Sequence, residues 1–351
     1  MVTKKSNKLS FKAKIFIALG LVLALTLAGT AFNYYLKYFA PNVTGNEDYL
    51  YISTGSDFKD VYSTIKKEKM VKDTISFYNA AHNMDYPPVV KAGKYRLSKG
   101  MSNRSLINML KAGNQEPVKI SFQNVRLKHT LAGMVSKKIE SDSASISDLL
   151  DSAAFVEKYG FDTENVYTMF IPNSYELYWN TSAEKFFLRM YDEYNKFWTT
   201  ERKAKAEEIG LTPIKVSILA SIVDGEALHD KEMPVIAGLY MNRLKKGMRL
   251  EADPTVIFAN NDFTIRRVLN KHLRKDSPYN TYIRTGLPPG PISMPSIHAI
   301  DAVLNFDKHN YLYMCAKEDF SGYHNFAPTL SEHLVNAKKF QEALNERNIK
   351  K

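Results

Sequence analysis

Residues 15–36 form an uncharged run built mostly of Ile, Leu, Val, Ala and Phe. At about 1.5 Å per residue in a helix, the run reaches across a hydrocarbon core of about 30 Å. No other feature constrains the fold as strongly, because a backbone in lipid must satisfy its own hydrogen bonds and a single such run can do so only as a helix. Lys4, Lys5, Lys8, Lys12 and Lys14 precede it. The positive-inside rule therefore places residues 1–14 in the cytoplasm and everything after Lys37 outside. Phe32, Tyr34, Tyr35 and Tyr38 stand where an interfacial aromatic belt is expected. The competing reading is a cleaved signal peptide with Gly29-Thr30-Ala31 as its small-x-small site, but the run exceeds the usual apolar region of such a signal. The expectation is a single-pass anchor in the cytoplasmic (inner) membrane, with the bulk of the chain extracytoplasmic.

The formal charge of +11 invites a nucleic-acid reading until it is divided along the chain. Five of the 48 basic residues lie in the tail, leaving 43 against 37 acidic ones. That excess is modest and has no clustered basic helix, so attraction of the tail to a membrane surface explains it and no nucleic-acid partner is expected. Cys315 is the sole cysteine, which excludes an intrachain disulfide and a CxxC metal site. It falls in an apparent strand over 311–315 and reads as a buried small hydrophobe.

At 351 residues the chain has room for about two domains beyond the membrane run. Residues 37–48, with Pro41, Asn42 and Gly45, read as a short stalk. Residues 49–52 then read as a strand, while Phe58, Val61, Tyr62 and Ile65 mark one helix and Ile75, Phe77, Tyr78 and Ala81 a second. Residues 92–97 alternate like a strand, Leu106, Ile107 and Leu110 mark a helix, and Val118, Ile120 and Phe122 alternate again. From 127 to about 210 the chain reads as mainly helical, including one long amphipathic run over 183–208, with a non-helical interruption at 169–175. A last long helix is expected over about 330–345. The class is α+β, divided as tail 1–14, membrane helix 15–36, stalk 37–48, a small α/β module 49–125 and a mixed helical and strand domain 126–351.

Helical phase singles out one carboxylate. Thr212-Pro213 opens a helix well, Thr as N-cap and Pro in the first turn. Ile214, Ile218 and Ile222 recur every four residues with Leu219 and Val223 beside them, so one stripe faces the core. Glu226 falls on that stripe; Asp224 sits about 200° away, on the polar side. A carboxyl at the edge of an apolar wall loses hydration, which raises its pKa toward the range of a general acid. The alternative is that Gly225 ends the helix and Glu226 is a solvated residue just past it.

Three clusters follow. Met241-Asn242-Arg243-Leu244 closes a helix begun at Pro234; its Asn suits an N-acetyl group or hydroxyl, and its Arg can clamp a carboxylate or pair with an acidic neighbour such as Asp253. Ala252-Asp253-Pro254-Thr255-Val256 reads as a turn in which Asp253 accepts a local N–H, or as part of the site. Tyr279-Asn280-Thr281-Tyr282 supplies stacking faces and polar groups ahead of Thr285-Gly286-Leu287-Pro288-Pro289-Gly290-Pro291-Ile292, where Pro289-Gly290 fits the centre of a type II turn with Gly290 at positive φ. There is no HExxH, and His324 and His333 lack partners at ligand spacing, so no metal and no cofactor is expected; a Ser or Cys hydrolase elbow is also missing.

In this order and spacing the clusters resemble the YceG-like family of endolytic murein transglycosylases. The match runs from about 218 to 290, persists through His324-Asn325-Phe326 to His333, and is loose before about residue 165. It departs from the family at Gly225, where another residue is usual, and at Met294-Pro295-Ser296, where Pro-Gly is common. The resemblance implies that Glu226 is the catalytic glutamate, that Asn242, Arg243, Asp253, Tyr279, Asn280, Thr281, Tyr282, Gly286 and Pro289 line the substrate groove, and that the module at 49–125 is LysM-like. Phe170 and Tyr175 serve either that groove or the core. Hydrolytic glycosidases use two carboxylates, whereas one suffices if it protonates the glycosidic oxygen and then deprotonates the sugar's own C6 hydroxyl. The implied activity is a membrane-anchored lyase that cuts nascent peptidoglycan strands internally and leaves 1,6-anhydromuramic ends, with peptidoglycan synthases as partners. Two alternatives stand beside it: a non-catalytic wall-binding scaffold, and a hydrolytic muramidase with Asp253 or Asp224 as second carboxylate.

Overall fold

A computed structural model describes residues 10–45 and 48–347. Most of the basic tail, Lys4, Lys5 and Lys8 included, lies outside the described residues. The chain has a mixed α+β fold and divides into two compact units, residues 1–118 with 178–180, and residues 119–177 with 181–351.

The first unit begins with helix α1 (Phe11–Tyr38), whose mean hydropathy reaches 2.4 over a window of which none is buried. It is long and apolar enough to cross a membrane, and it exposes the face that the core helix of a soluble domain would bury. Strand β1 (Tyr49–Ile52), helices α2 (Phe58–Lys67) and α3 (Thr74–Asn83), strand β2 (Gly93–Arg96) and helix α4 (Asn103–Ala112) follow. Asp57 starts α2 with a reciprocal capping box, Asp73 caps α3, and Gly113 in the left-handed region stops α4. β1 and β2 pair antiparallel, Tyr49 opposite Arg96 and Ile52 opposite Gly93. Leu50, Ile65, Phe77, Tyr95, Leu106 and Leu110 form the core.

In the expected stalk, residues 42 and 43 are not free. Asn42 is buried, donating to the Asp73 carbonyl at 2.9 Å and to Asn103 Oδ1 at 2.7 Å while accepting from the Asp73 N–H, and Val43 is buried beside it. A polar residue enclosed in this way needs its hydrogen bonds met, and the module meets them. Pro41 and Gly45 suggested a linker because sequence cannot show that Asn42 has these partners.

In the second unit β3 (Val118–Phe122) pairs with β4 (Asn173–Leu177). Between them lie α5 (Lys128–Ser136), α6 (Ser143–Asp151) and the single-turn α7 (Ala153–Val156). Phe170 and Tyr175 both pack on Phe122 in the core, which assigns these two rings to packing. The amphipathic run at 183–208 is two helices, α8 (Ala183–Phe197) and α9 (Thr200–Glu208), because Trp198 turns into the core and Thr199 caps the second helix. Next come α10 (Pro213–Glu226), α11 (Met233–Lys245), α12 (Asp253–Asn260), the short α13 (Asn270–Leu273) and α14 (Ile297–Leu304). The unit ends with β5 (Tyr313–Ala316), antiparallel to β6 (His324–Ala327), and α15 (Leu330–Glu346).

α10 is the centre of this unit. Every residue from Val216 to Val223 is buried, so the helix is enclosed on all sides rather than on one stripe. α11, α12 and α14 pack around it. Asp224 is only half-exposed: it accepts from the Ser296 hydroxyl at 2.7 Å and from the Ser296 N–H at 3.3 Å. Ser296 in turn caps α14. Asp224 thus ties the end of α10 to the start of α14.

Candidate active site

Gly225 does not end α10; the helix runs through it to Glu226, and Ala227 leaves in extended conformation. A Cβ on Gly225 would lie 2.9 Å from the Pro254 Cβ, so glycine here allows α12 to approach α10 closely. This contact sets Glu226 beside Asp253, the first residue of α12. Asp253-Pro254-Thr255 is accordingly a helix start, with Pro in the first turn, and not an isolated turn.

Glu226 opens into a cavity of about 370 Å³. Its Oε1 accepts from the Tyr240 hydroxyl at 3.0 Å, and Tyr240 is buried in the middle of α11. Burial pushes the Glu226 carboxyl up from 4.5 to about 7, and the charge of Asp253 adds to the rise. The Tyr240 hydroxyl and the Asp253 backbone N–H pull the other way, since both favour the carboxylate. The balance leaves a carboxyl that can both hold and release a proton near neutrality.

Asp253 accepts from the Tyr282 hydroxyl at 2.7 Å, and Tyr282 also lines the cavity. Burial raises the Tyr282 phenol far above its ordinary value, with the Asp253 bond reinforcing it, so Tyr282 stays a donor. Asn280 and Thr281 hold these two in place and are themselves enclosed. Asn280 donates to the Leu273 and Lys275 carbonyls at 2.9 and 2.8 Å and accepts from the Tyr282 N–H. Thr281 Oγ1 accepts from the Ala252 N–H at 3.0 Å and shares a hydrogen bond with the Thr255 hydroxyl at 2.8 Å. Neither faces the cavity, so the expectation of direct acetamido contacts does not fit their placement; their hydrogen-bonding capacity is used internally.

Asn242 likewise donates to the His309 and Tyr311 carbonyls at 2.8 and 3.1 Å. Arg243 does line the cavity, but its partner is Glu251 at 2.9 Å rather than Asp253. Its guanidinium also donates to the carbonyls of Leu312, Arg249 and Leu250. A planar fork of donors suits this role, and it binds the 249–251 loop to the chain entering β5. Glu251 is held at φ 53°, a left-handed conformation that such bracing supports.

The remaining expected residues lie elsewhere. Tyr279 donates to Glu164 Oε2 at 2.7 Å and packs on Phe258, outside the Glu226 cavity. Gly286 and Pro289 line an apolar hollow with Ile214 and Ile218. Gly290 is not the left-handed residue of a type II turn; the loop's positive φ belongs to Gly286, at 82°. Glycine is required at 290 by proximity, because a Cβ there would lie 2.1 Å from the Glu164 carbonyl oxygen.

A sequence model described as the YceG-like family matches residues 50–339. The chain belongs to the YceG-like family. Among its relatives, the endolytic murein transglycosylase of Bacillus subtilis (strain 168) is 29% identical over 317 residues, covering 84% of this chain and 85% of that protein. The endolytic murein transglycosylase of Streptococcus pneumoniae (strain ATCC BAA-255 / R6) is 27% identical over 341 residues; the alignment covers 86% of this chain but only 61% of that longer protein. A 2.6 Å crystal structure of a yceG-like protein from Listeria monocytogenes superposes with a TM-score of 0.55 at 25% identity, covering 82% of this chain and 97% of the other.

Within this YceG-like chain several cavity residues escaped the reading of the sequence. Tyr240 looked like one more apolar position of α11, and its hydroxyl was the only signal of a second role. Glu251, Tyr313 and Leu330 also line the cavity. Cys315 is half-buried there rather than enclosed in the core, because β5 lies at the cavity's edge. His324 and His333 line it too: the first bonds Glu232 through its backbone N–H and its ring, both at 2.8 Å, and the second stacks on Tyr313.

Proposed function

We propose that this chain is an endolytic peptidoglycan lytic transglycosylase in which Glu226 is the acid and then the base. The observation that carries the reading is one carboxyl, raised to about 7 by burial, at the edge of an open cavity and fixed by the Tyr240 hydroxyl. With Oε1 held by Tyr240, the proton rides on the other oxygen and is delivered to the glycosidic oxygen as the C1–O bond breaks. The resulting carboxylate then takes the proton of the C6 hydroxyl while that oxygen closes on C1. The product end is a 1,6-anhydro sugar, no water enters, and Glu226 regains its proton. Proximity of the C6 hydroxyl replaces an ordered water and removes the need for a second base. Asp253, oriented by Tyr282 next to Glu226, supplies negative charge that favours the cationic sugar at C1.

The relatives named endolytic murein transglycosylases support peptidoglycan as the substrate. In this reading α1 anchors the chain by a single pass with its N-terminus in the cytoplasm, and Tyr34 and Tyr35 lie at the outer interface. The β1-α2-α3-β2 order supports a LysM-like module between the anchor and a catalytic domain at 126–351. An anchored lyase of this kind meets new strands beside the synthases that make them.

Digestion of purified glycan strands in ¹⁸O-labelled water tests the chemistry. The expected new ends are anhydro sugars, lighter by one water than hydrolytic ends and free of label. Label at the new ends would replace this mechanism with hydrolysis and make Asp253 the second carboxylate.

A further inference from the structure

Two adjoining hollows of about 250 and 310 Å³ share Arg126 and Phe258 as lining residues. Gly225 and Pro254 bound the first of them, and each is the immediate chain neighbour of a cavity residue, Glu226 or Asp253. Gly225 and Pro254, in close contact, thus line this groove while their chain neighbours Glu226 and Asp253 line the cavity.

The groove presents three partly exposed rings in succession, Phe263 and Phe258 with centroids 6.4 Å apart, then Phe258 and Tyr279 at 4.6 Å. The Arg126 guanidinium lies 4.5 Å from the Phe263 ring centroid, is exposed, and forms no ion pair among the described residues. Asn124, exposed and held at φ 48°, lines the same hollow. Tyr279 is set firmly, since its hydroxyl is tied to Glu164. Arg126 covers the Phe263 face, and the carboxylates of Asp224, Asp151 and Glu164 also line the hollows; the partly exposed Phe258 and Tyr279 rings, with the guanidinium and the Asn124 amide near them, match the C–H face, carboxylate and acetamido group of an acidic amino sugar.

We propose that this groove is a binding subsite for the peptidoglycan strand beyond the bond being cut. Pyranose faces stack on Phe258 and Tyr279, and Arg126, seated over Phe263, pairs with a substrate carboxylate, from a lactyl group or a stem peptide. The proposal rests on the peptidoglycan reading above and names the part of the protein that holds the strand away from the reacting bond. A second hold on the strand, next to the Glu226 cavity, suits cutting within a chain rather than at its end.

The test uses the full chain carrying Glu226→Gln, which retains substrate uncut, and fluorescent glycan strands whose binding is read by anisotropy. Adding Arg126→Ala should raise Kd at least tenfold, with Arg126→Lys in between, because a lysine keeps the charge and loses the fork. Strands whose carboxylates have been converted to amides should bind the protein that retains Arg126 as weakly as native strands bind the Arg126→Ala variant, and should lose nothing further on that variant. A Kd within twofold on Arg126→Ala would overturn the subsite, as would amidation that still weakens the Arg126→Ala protein tenfold. Arg126→Lys keeps the charge and the stem, so unchanged melting of both variants together with the intermediate Kd of Arg126→Lys excludes misfolding as the cause of the loss. Incubating the wild-type chain with the same strands separates the two readings: cutting without an Arg126 effect removes the subsite alone, and an Arg126 effect without cutting removes the lyase reading alone.

Discussion

Glu226→Gln should abolish strand cleavage and at the same time stabilise the protein, by an amount that depends on pH. The isostere accepts the Tyr240 hydroxyl bond but cannot transfer a proton. Folding moves the carboxyl from 4.5 to about 7, which at about 1.4 kcal/mol per pH unit corresponds to at most about 3.5 kcal/mol. Partial exposure to the cavity screens this, and about 1–2 kcal/mol is a better expectation. Because the folded value is raised, the protonated form is the one the fold favours. Below 4.5 the group is protonated in both states and carries no charge-burial penalty; the penalty grows as pH rises and is complete above about 7. Glutamine has none at any pH. Thermal melting of the two proteins should therefore coincide near pH 4.5, and at pH 8 the Gln variant should melt a few degrees higher. A melting difference that does not change with pH, or a Gln variant less stable at pH 8, would refute the claim that burial sets the acidity of Glu226. Substantial cleavage by the well-folded variant would remove it from the mechanism.

Tyr240→Phe deletes a hydrogen bond that favours the carboxylate, so the Glu226 carboxyl should rise further, by about one pH unit for a charged hydrogen bond at the low end of its usual range. The alkaline limb of the cleavage profile should move up with it, at reduced maximal rate; a limb that stays put or moves down would show that Tyr240 does not act on Glu226. Gly225→Ala places a methyl 2.9 Å from the Pro254 Cβ, against a comfortable contact of about 3.5–4.0 Å. The overpacking costs about 1–3 kcal/mol and is partly offset by about 1 kcal/mol of helix propensity. Melting should fall by only a few degrees while cleavage falls at least tenfold, because the residues displaced are the neighbours of Glu226 and Asp253. Unchanged cleavage would show that the α10–α12 contact does not position the site.

Local chemistry made the elements legible in the sequence. Thr212-Pro213 announces α10, the period-two pattern at 118–122 becomes β3, and the apolar run becomes α1, because caps, prolines and hydrophobic periods act over a few residues. The same logic pointed to Glu226, although the stripe argument was incomplete: α10 is buried all round, and what distinguishes Glu226 from Asp224 is that Ser296 claims Asp224 while Glu226 is left facing the cavity. That difference is made by a residue 72 positions away in the chain. Polar residues were misassigned for a related reason. Asn242, Asn280 and Thr281 carry side chains suited to a sugar, but whether such a group meets a ligand or a buried carbonyl depends on which backbone is brought to it. The glycines divide in the same way: Gly286 needs its positive φ, a local property, whereas Gly225 and Gly290 are needed because Pro254 and the Glu164 carbonyl come too close for a side chain. Sequence by itself determined most of the helices and strands, though not the break at Trp198 or the helix start at Asp253, and which carboxylate could be an acid. Tertiary packing decided its acidity, its Tyr240 partner and its nearness to Asp253, because desolvation and close contact arise only where distant segments meet.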